Sequence, residues 1–196
     1  TTGDDNVALG DYALYNNTSA NNNVAVGKDA MLSNTTGASN VAVGYVALDA
    51  NTTGSNNTSI GSYSLGANTT GDANTAVGND CLDSNTTGVR NTAIGVDALQ
   101  ANTTTNDNVA IGYAALQANT ASNNTAVGKN ALYANTTGSE NNAFGVNALD
   151  SNTTGGENCT FGNGSLAANT TGDNNCGFGD DTLSLNVSGD NNTAVG

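Results

Sequence analysis

The chain contains no proline, no histidine and no tryptophan. Without histidine, neither a Ser-His-Asp triad nor a Cys-His pair can be assembled. Basic residues are nearly missing: only Lys28, Arg90 and Lys129 stand against 17 acidic residues, for a net charge of −14. Phosphate backbones and anionic lipid surfaces need clustered cations, so the balance argues against a nucleic-acid partner and against membrane association. No apolar run approaches the ~20 residues of a membrane helix, and no membrane insertion is expected. Charged residues are only 10% of the chain, which argues against the charge-rich disordered class. The carboxylate pairs Asp4-Asp5 and Asp180-Asp181 are sequence neighbours, which point to opposite faces of a strand, and no Gly-rich phosphate loop precedes a helix. No catalytic set emerges, and an enzyme is not expected.

What the chain has in abundance is Asn, Thr, Gly and Ala, and they recur with a period. The Gly closing each A-V-G-like triplet falls at Gly10, Gly27, Gly44, Gly61, Gly78, Gly95, Gly112, Gly128, Gly145, Gly162, Gly179 and Gly196, a spacing of 17 with one step of 16. The consensus is N-[T/V]-A-[V/I]-G-x-x-A-L-x-x-N-T-T-G-x-x. The short repeat has lost a residue at Asn119-Thr120-Ala121-Ser122, a turn that tolerates deletion. Asn and Gly are poor helix formers, whereas N-T-A-V-G alternates and is bounded by turn residues. A 17-residue unit cannot bury its own apolar face, so units must stack. These features predict an all-β fold, a parallel β-solenoid (β-roll or β-helix) of about twelve rungs over residues 1–196 as a single domain. At the ~4.8 Å strand spacing the rod is about 55 Å long.

Each rung is expected to hold a strand through N-T-A-V-G, a corner, a short strand through A-L, and a second corner. Three ladders are expected: the aliphatic before the anchor Gly (Val43, Ile60, Val77, Ile94), the Leu four after it (Leu48, Leu65, Leu82, Leu99), and the Asn four before it (Asn40, Asn57, Asn74, Asn91). Stacked Asn side chains can bond from rung to rung as in cross-β assemblies. The Ala two before the anchor falls on the opposite face. Its small size suits close approach of a neighbouring chain, or else a solvent-facing or tight-corner position.

Several residues carry potential chemistry. Corner carboxylates on successive rungs, Glu140 with Glu157 and Asp173 with Asp190, offer oxygen ligands for Ca²⁺, or are solvated charges that keep a rod soluble. Asn34, Asn51, Asn68 and Asn85 open N-x-T sequons and are glycosylation candidates in a secretory setting, or else simple turn residues. Cys159 and Cys176 share a repeat position, 17 apart, and should lie side by side as a disulfide or as two free thiols. Cys81 replaces an Ala before Leu82 as packing. Tyr12, Tyr45, Tyr63 and Tyr113 are corner packing or sugar contacts.

The stretch Asn40-Val41-Ala42-Val43-Gly44 resembles the head repeats of trimeric autotransporter adhesins. The whole unit, Asn74-Thr75-Ala76-Val77-Gly78 with Leu82 and Asn85-Thr86-Thr87-Gly88, resembles repeats of bacteriophage tail-fibre proteins. The resemblance implies a left-handed roll, a homotrimer about one axis, and a place outside the cell, on a cell surface or on a virion. It makes a fibre or adhesin segment the leading expectation, with a cell-surface glycan or receptor as partner. Neither Thr1-Thr2-Gly3 nor Gly196 differs from the repeat, which suggests a segment of a longer array or an end-to-end polymer: a self-assembling filament is the first alternative. The second, an ice- or surface-binding solenoid, calls for T-x-T spacing on a flat face, whereas Thr52-Thr53 are adjacent at a corner.

Overall fold

The computed structural model describes residues 2–196. Twelve three-residue strands follow one another: β1 (Val7–Leu9), β2 (Val24–Val26), β3 (Val41–Val43), β4 (Thr58–Ile60), β5 (Thr75–Val77), β6 (Thr92–Ile94), β7 (Val109–Ile111), β8 (Thr125–Val127), β9 (Asn142–Phe144), β10 (Cys159–Phe161), β11 (Cys176–Phe178) and β12 (Thr193–Val195). They pair in parallel in chain order as a single sheet. The chain is thus a parallel β-solenoid of about eleven turns. Equivalent residues pair at every step, including across the short rung, where Val109 faces Thr125. The missing residue is absorbed at the corner. There Ala121 supplies the carbonyl that Asn108 and Asn119 both donate to, at 2.9 and 2.7 Å.

The interior differs from the expectation in one respect. The inward strand residue is the central Ala, fully buried at Ala25, Ala42, Ala76, Ala93, Ala110, Ala126 and Ala143. The larger aliphatics that flank it, which hydrophobicity alone would place inside, point outward, and Ile60 and Ile94 remain 40% and 38% exposed. Their ladder exists, but it lines the outer face of the sheet. The reason is closure. Residues i and i+2 of a strand share a face, so a three-residue strand sends one side chain in and two out. A 17-residue ring already holds a Leu, two Asn and a second Ala, and leaves room for a small side chain. The column departs from Ala at Ser59 on β4, between Ala42 and Ala76, and again near its C-terminal end. Thr160 replaces Ala on β10, and Gly177 takes the paired position on β11. The Thr160 hydroxyl is buried with no partner.

The Leu column (Leu48, Leu65, Leu82, Leu99) is wholly buried, as expected. It is not carried by a second strand. The A-L segment is a turn, and every Leu in it is left-handed, with φ of 53°, 50°, 53° and 55° at these four. A left-handed non-Gly residue costs about 1–2 kcal/mol. Full burial of a Leu gains about 2 kcal/mol, which offsets it. The residue two after the anchor and the residue before the strand-leading Asn are left-handed as well. Asp, Asn and Gly fill many of these sites because they tolerate that region. Val46, at φ 58°, does not. The same column holds Asn130 and Asn147, both left-handed. Val46→Asn should therefore stabilise the chain by about 1 kcal/mol, read as a rise of about 2–4 °C in a thermal melt.

Asparagine supplies most of the buried polarity: 20 of the 24 buried polar residues are Asn. They form two columns. In the strand-leading column, Asn57 donates its backbone N–H to Asn40 Oδ1 at 2.9 Å and its Nδ2 to the Gly71 carbonyl at 2.8 Å. In the corner column, Asn68 Nδ2 donates to Asn51 Oδ1 at 2.9 Å and to the same Gly71 carbonyl at 3.1 Å. Each corner carbonyl thus joins the two columns. This satisfies the expected ladder at Asn40, Asn57, Asn74 and Asn91, and adds a second one inside the rod.

Candidate functional site

The outer face of the sheet is the most distinctive surface. Each strand sends two side chains outward, the first and third residues, and none of these is charged. They form two columns about 7 Å apart that run about 55 Å along the rod. The first column holds Val, Thr, Asn and Cys; the second holds Leu, Val, Ile and Phe. Near the C-terminal end the second column becomes aromatic. Phe144, Phe161 and Phe178 stack face to face at 4.6 and 5.4 Å, with interplanar angles of 2° and 4°. The in-register ladder favours this parallel stack, because it places equivalent side chains one rung apart.

The corners are less available than the sequence suggested. Asn34, Asn51, Asn68 and Asn85 are completely buried, and their Nδ2 groups donate inside the rod. A glycan on Nδ2 has no room in the folded chain, which corrects the glycosylation candidates. The first Thr of most corners is also engaged. Thr35, Thr52 and Thr69 donate their hydroxyls to the next rung's Thr carbonyl at 2.9 to 3.0 Å. The tyrosines stay outside: Tyr45 and Tyr63 meet edge to face at 5.4 Å, with Lys28 Nζ 5.6 Å from the Tyr45 ring centre.

The acidic candidates do not form one column. Glu140 and Glu157 occupy the left-handed position just before the strand-leading Asn. Asp173 and Asp190 lie one residue earlier in their rungs and act as corner staples. Asp173 Oδ1 accepts from the Gly156 N–H at 2.7 Å, and Asp190 Oδ1 accepts from the Asp173 N–H at 2.9 Å. Asp72 does the same for Ser55 at 2.6 Å. Among the described residues no three metal-ligating side chains gather. Each candidate pair therefore keeps its own turn position on successive rungs, Glu140 with Glu157 and Asp173 with Asp190.

A different acidic column is perturbed. Asp49, Asp83 and Asp150 each follow an anchor Gly by five residues and are partly buried. Burial raises all three above the ordinary carboxylate value, and Asp83 adds to the effect at Asp49. A raised folded-state pKa means that the folded chain holds protons the unfolded chain has released. The resulting stability is fully present below the unfolded value near ~4 and is lost as pH climbs through the raised values. The net charge of −14 acts in the same sense. The Arg90–Asp107 pair, at 2.7 Å, opposes it: it lowers the Asp107 pKa, but it is exposed and contributes little. The melting temperature should rise as pH falls from 7 toward 4.5. Asp83→Asn should flatten that slope. A melting temperature that falls over this range would contradict the assignment.

Cys159 and Cys176 are direct register partners on β10 and β11. Both are half-buried free thiols on the outer face. Burial, and then the neighbouring Cys176, raises the Cys159 thiol above its ordinary value. Cys81 sits inside, donates to the Ala93 carbonyl at 3.0 Å, and is pushed up to about 12 by burial. No pocket opens among the described residues. Comparison of the chain with family models, with curated proteins and with solved structures gave no match.

Proposed function

We propose that this chain is a structural segment of an extracellular or virion fibre, a rod-like spacer or surface attachment that does no catalysis. The observation that carries the reading is the unbroken register of twelve strands with the same columns repeated on every side. Such an object has a length set by its rung number and no single privileged concavity. Its stability is close to a sum of rung and neighbour contributions, which allows length to change without redesign. The uncharged outer sheet face supports side-by-side packing with further copies of the chain, a homotrimer being the arrangement implied by the resembling repeats. Exposed Tyr45 and Tyr63 offer aromatic edges to a surface glycan.

The reading is tested by electron microscopy of the purified chain beside a variant lengthened by six duplicated rungs. Rods should grow by about 29 Å at constant width, which follows from ~4.8 Å per rung. A threefold cross-section supports the homotrimer. Rounded particles, or particles whose length ignores the added rungs, would remove the spacer role.

A further inference from the structure

The thiol pair on β10 and β11 has a geometry that selects its chemistry. The two cysteines face each other in a parallel ladder, and each is held by a rung-to-rung backbone bond. Cys159 N–H donates to the Asn175 carbonyl at 2.8 Å, and Cys176 N–H to the Asn192 carbonyl at 2.7 Å. Two residues along, Phe161 and Phe178 stack at 5.4 Å. These contacts keep paired Cβ atoms near the rung spacing of ~4.8 Å. A disulfide asks for a Cβ separation of about 3.5–4.5 Å, so closing one would draw the two rungs slightly together. Two thiolates on opposite sides of one cation ask for something else. With each bond near the ~2.3 Å of a zinc–thiolate, a linear S–M–S unit spans about 4.6 Å, which matches the rung.

Coordination number narrows the cation. The column neighbours are Asn142 on β9 and Thr193 on β12, neither of them a thiol, an imidazole or a carboxylate. Among the described residues no third ligating side chain joins the pair. Tetrahedral zinc and oxygen-loving cations therefore lack a ligand set, whereas a two-coordinate soft cation is complete with two thiolates. Phe161 and Phe178, two residues along on the same outer face, give the pair an apolar flank.

We propose that Cys159 and Cys176 form a binding site for one two-coordinate thiophilic cation, with Cu(I) as the physiological candidate. Binding breaks two S–H bonds and forms two S–Cu bonds. Two protons pass to solvent, and no electron is transferred.

The test uses the full chain carrying Cys81→Ala, since Ala is the usual residue at that buried position. Under anaerobic conditions it is titrated with Ag(I), a redox-inert probe, and with Cu(I) held by a chromophoric competitor. One cation per chain should be retained, with a raised melting temperature. Cys159→Thr and Cys176→Thr should each lower affinity at least 100-fold. Thr is native to this column at Thr125 and Thr193, so the fold is preserved. Cu(I) left with the competitor, or Thr variants that bind as tightly as the parent, would overturn the site. So would a reduced chain that closes a disulfide under mild peroxide and retains no cation.

Discussion

Gly95→Ala should abolish the rod locally, at a cost above about 4 kcal/mol, among the largest of any single substitution in the chain. Gly95 has φ +131°, a region that is essentially closed to side chains. An added Cβ would also lie 2.5 Å from the Gly112 carbonyl oxygen and 2.7 Å from its carbon. Those atoms are backbone of the next rung and cannot swing aside. The rung cannot retreat either, because Gly112 N–H is bonded to the Ile94 carbonyl at 2.8 Å. The two penalties therefore act together: relief of one would require breaking the ladder that enforces the other. The expected readout is loss of the cooperative melt, or a fall in melting temperature of more than about 8 °C. Gly156→Ala is the control. Its column elsewhere holds Ser55, Asp72 and Asp173, and the change should move stability by less than about 1 kcal/mol.

Asn74→Ala should cost about 3–4 kcal/mol, although Ala is a smaller and more apolar residue in a buried site. Asn74 Oδ1 accepts the Asn91 N–H at 2.9 Å, and its Nδ2 donates to the Gly88 carbonyl at 2.8 Å. Gly88 keeps a second donor, Asn85 Nδ2 at 3.1 Å. The Asn91 N–H keeps nothing, and it is buried. An orphaned buried N–H costs about 1–3 kcal/mol, and the vacated volume adds a cavity contribution of similar size. Urea titration of the parent, Asn74→Ala and Asn79→Ala separates this from a generic loss of polarity. Asn79 is exposed and donates only to the Ser62 carbonyl at 3.0 Å, so its replacement should stay within about 0.5 kcal/mol of the parent.

Both substitutions strike positions whose importance is visible from the period alone. The anchor Gly and the strand-leading Asn recur in every repeat, and stacking of identical rungs follows from that. The Leu column was also legible, as a large apolar residue in a unit with few others. The inward face of the strand was not. In Asn40-Val41-Ala42-Val43-Gly44 the alternation separates Ala42 from Val41 and Val43, but hydrophobicity favours the valines for the interior. The width of the closed ring decides otherwise, and width is a tertiary property. The left-handed leucines were hidden for a related reason. Leu48 in an A-L pair looks like strand, and only the need to turn the chain while keeping Leu inside places it at φ 53°.

The acidic columns show a third kind of limit. Asp173 and Glu157 both lie shortly before the strand-leading Asn of their rungs, Asn175 and Asn158. A shift of one residue moves a side chain from a corner staple to a left-handed turn position. The repeat period places Cys159 and Cys176 together. Their separation across the ladder, which sets a disulfide against a bridging cation, comes from the strand spacing.

The central claim is that hydrogen-bonded asparagine columns fill much of the interior of the rod. Hydrogen exchange of the side-chain carboxamides, followed by NMR on asparagine-labelled protein, addresses it directly. The account predicts strong protection for the two buried columns, Asn57 and Asn68 among them, with Asn79 exchanging freely. Fast exchange of the column carboxamides in the folded chain would contradict it.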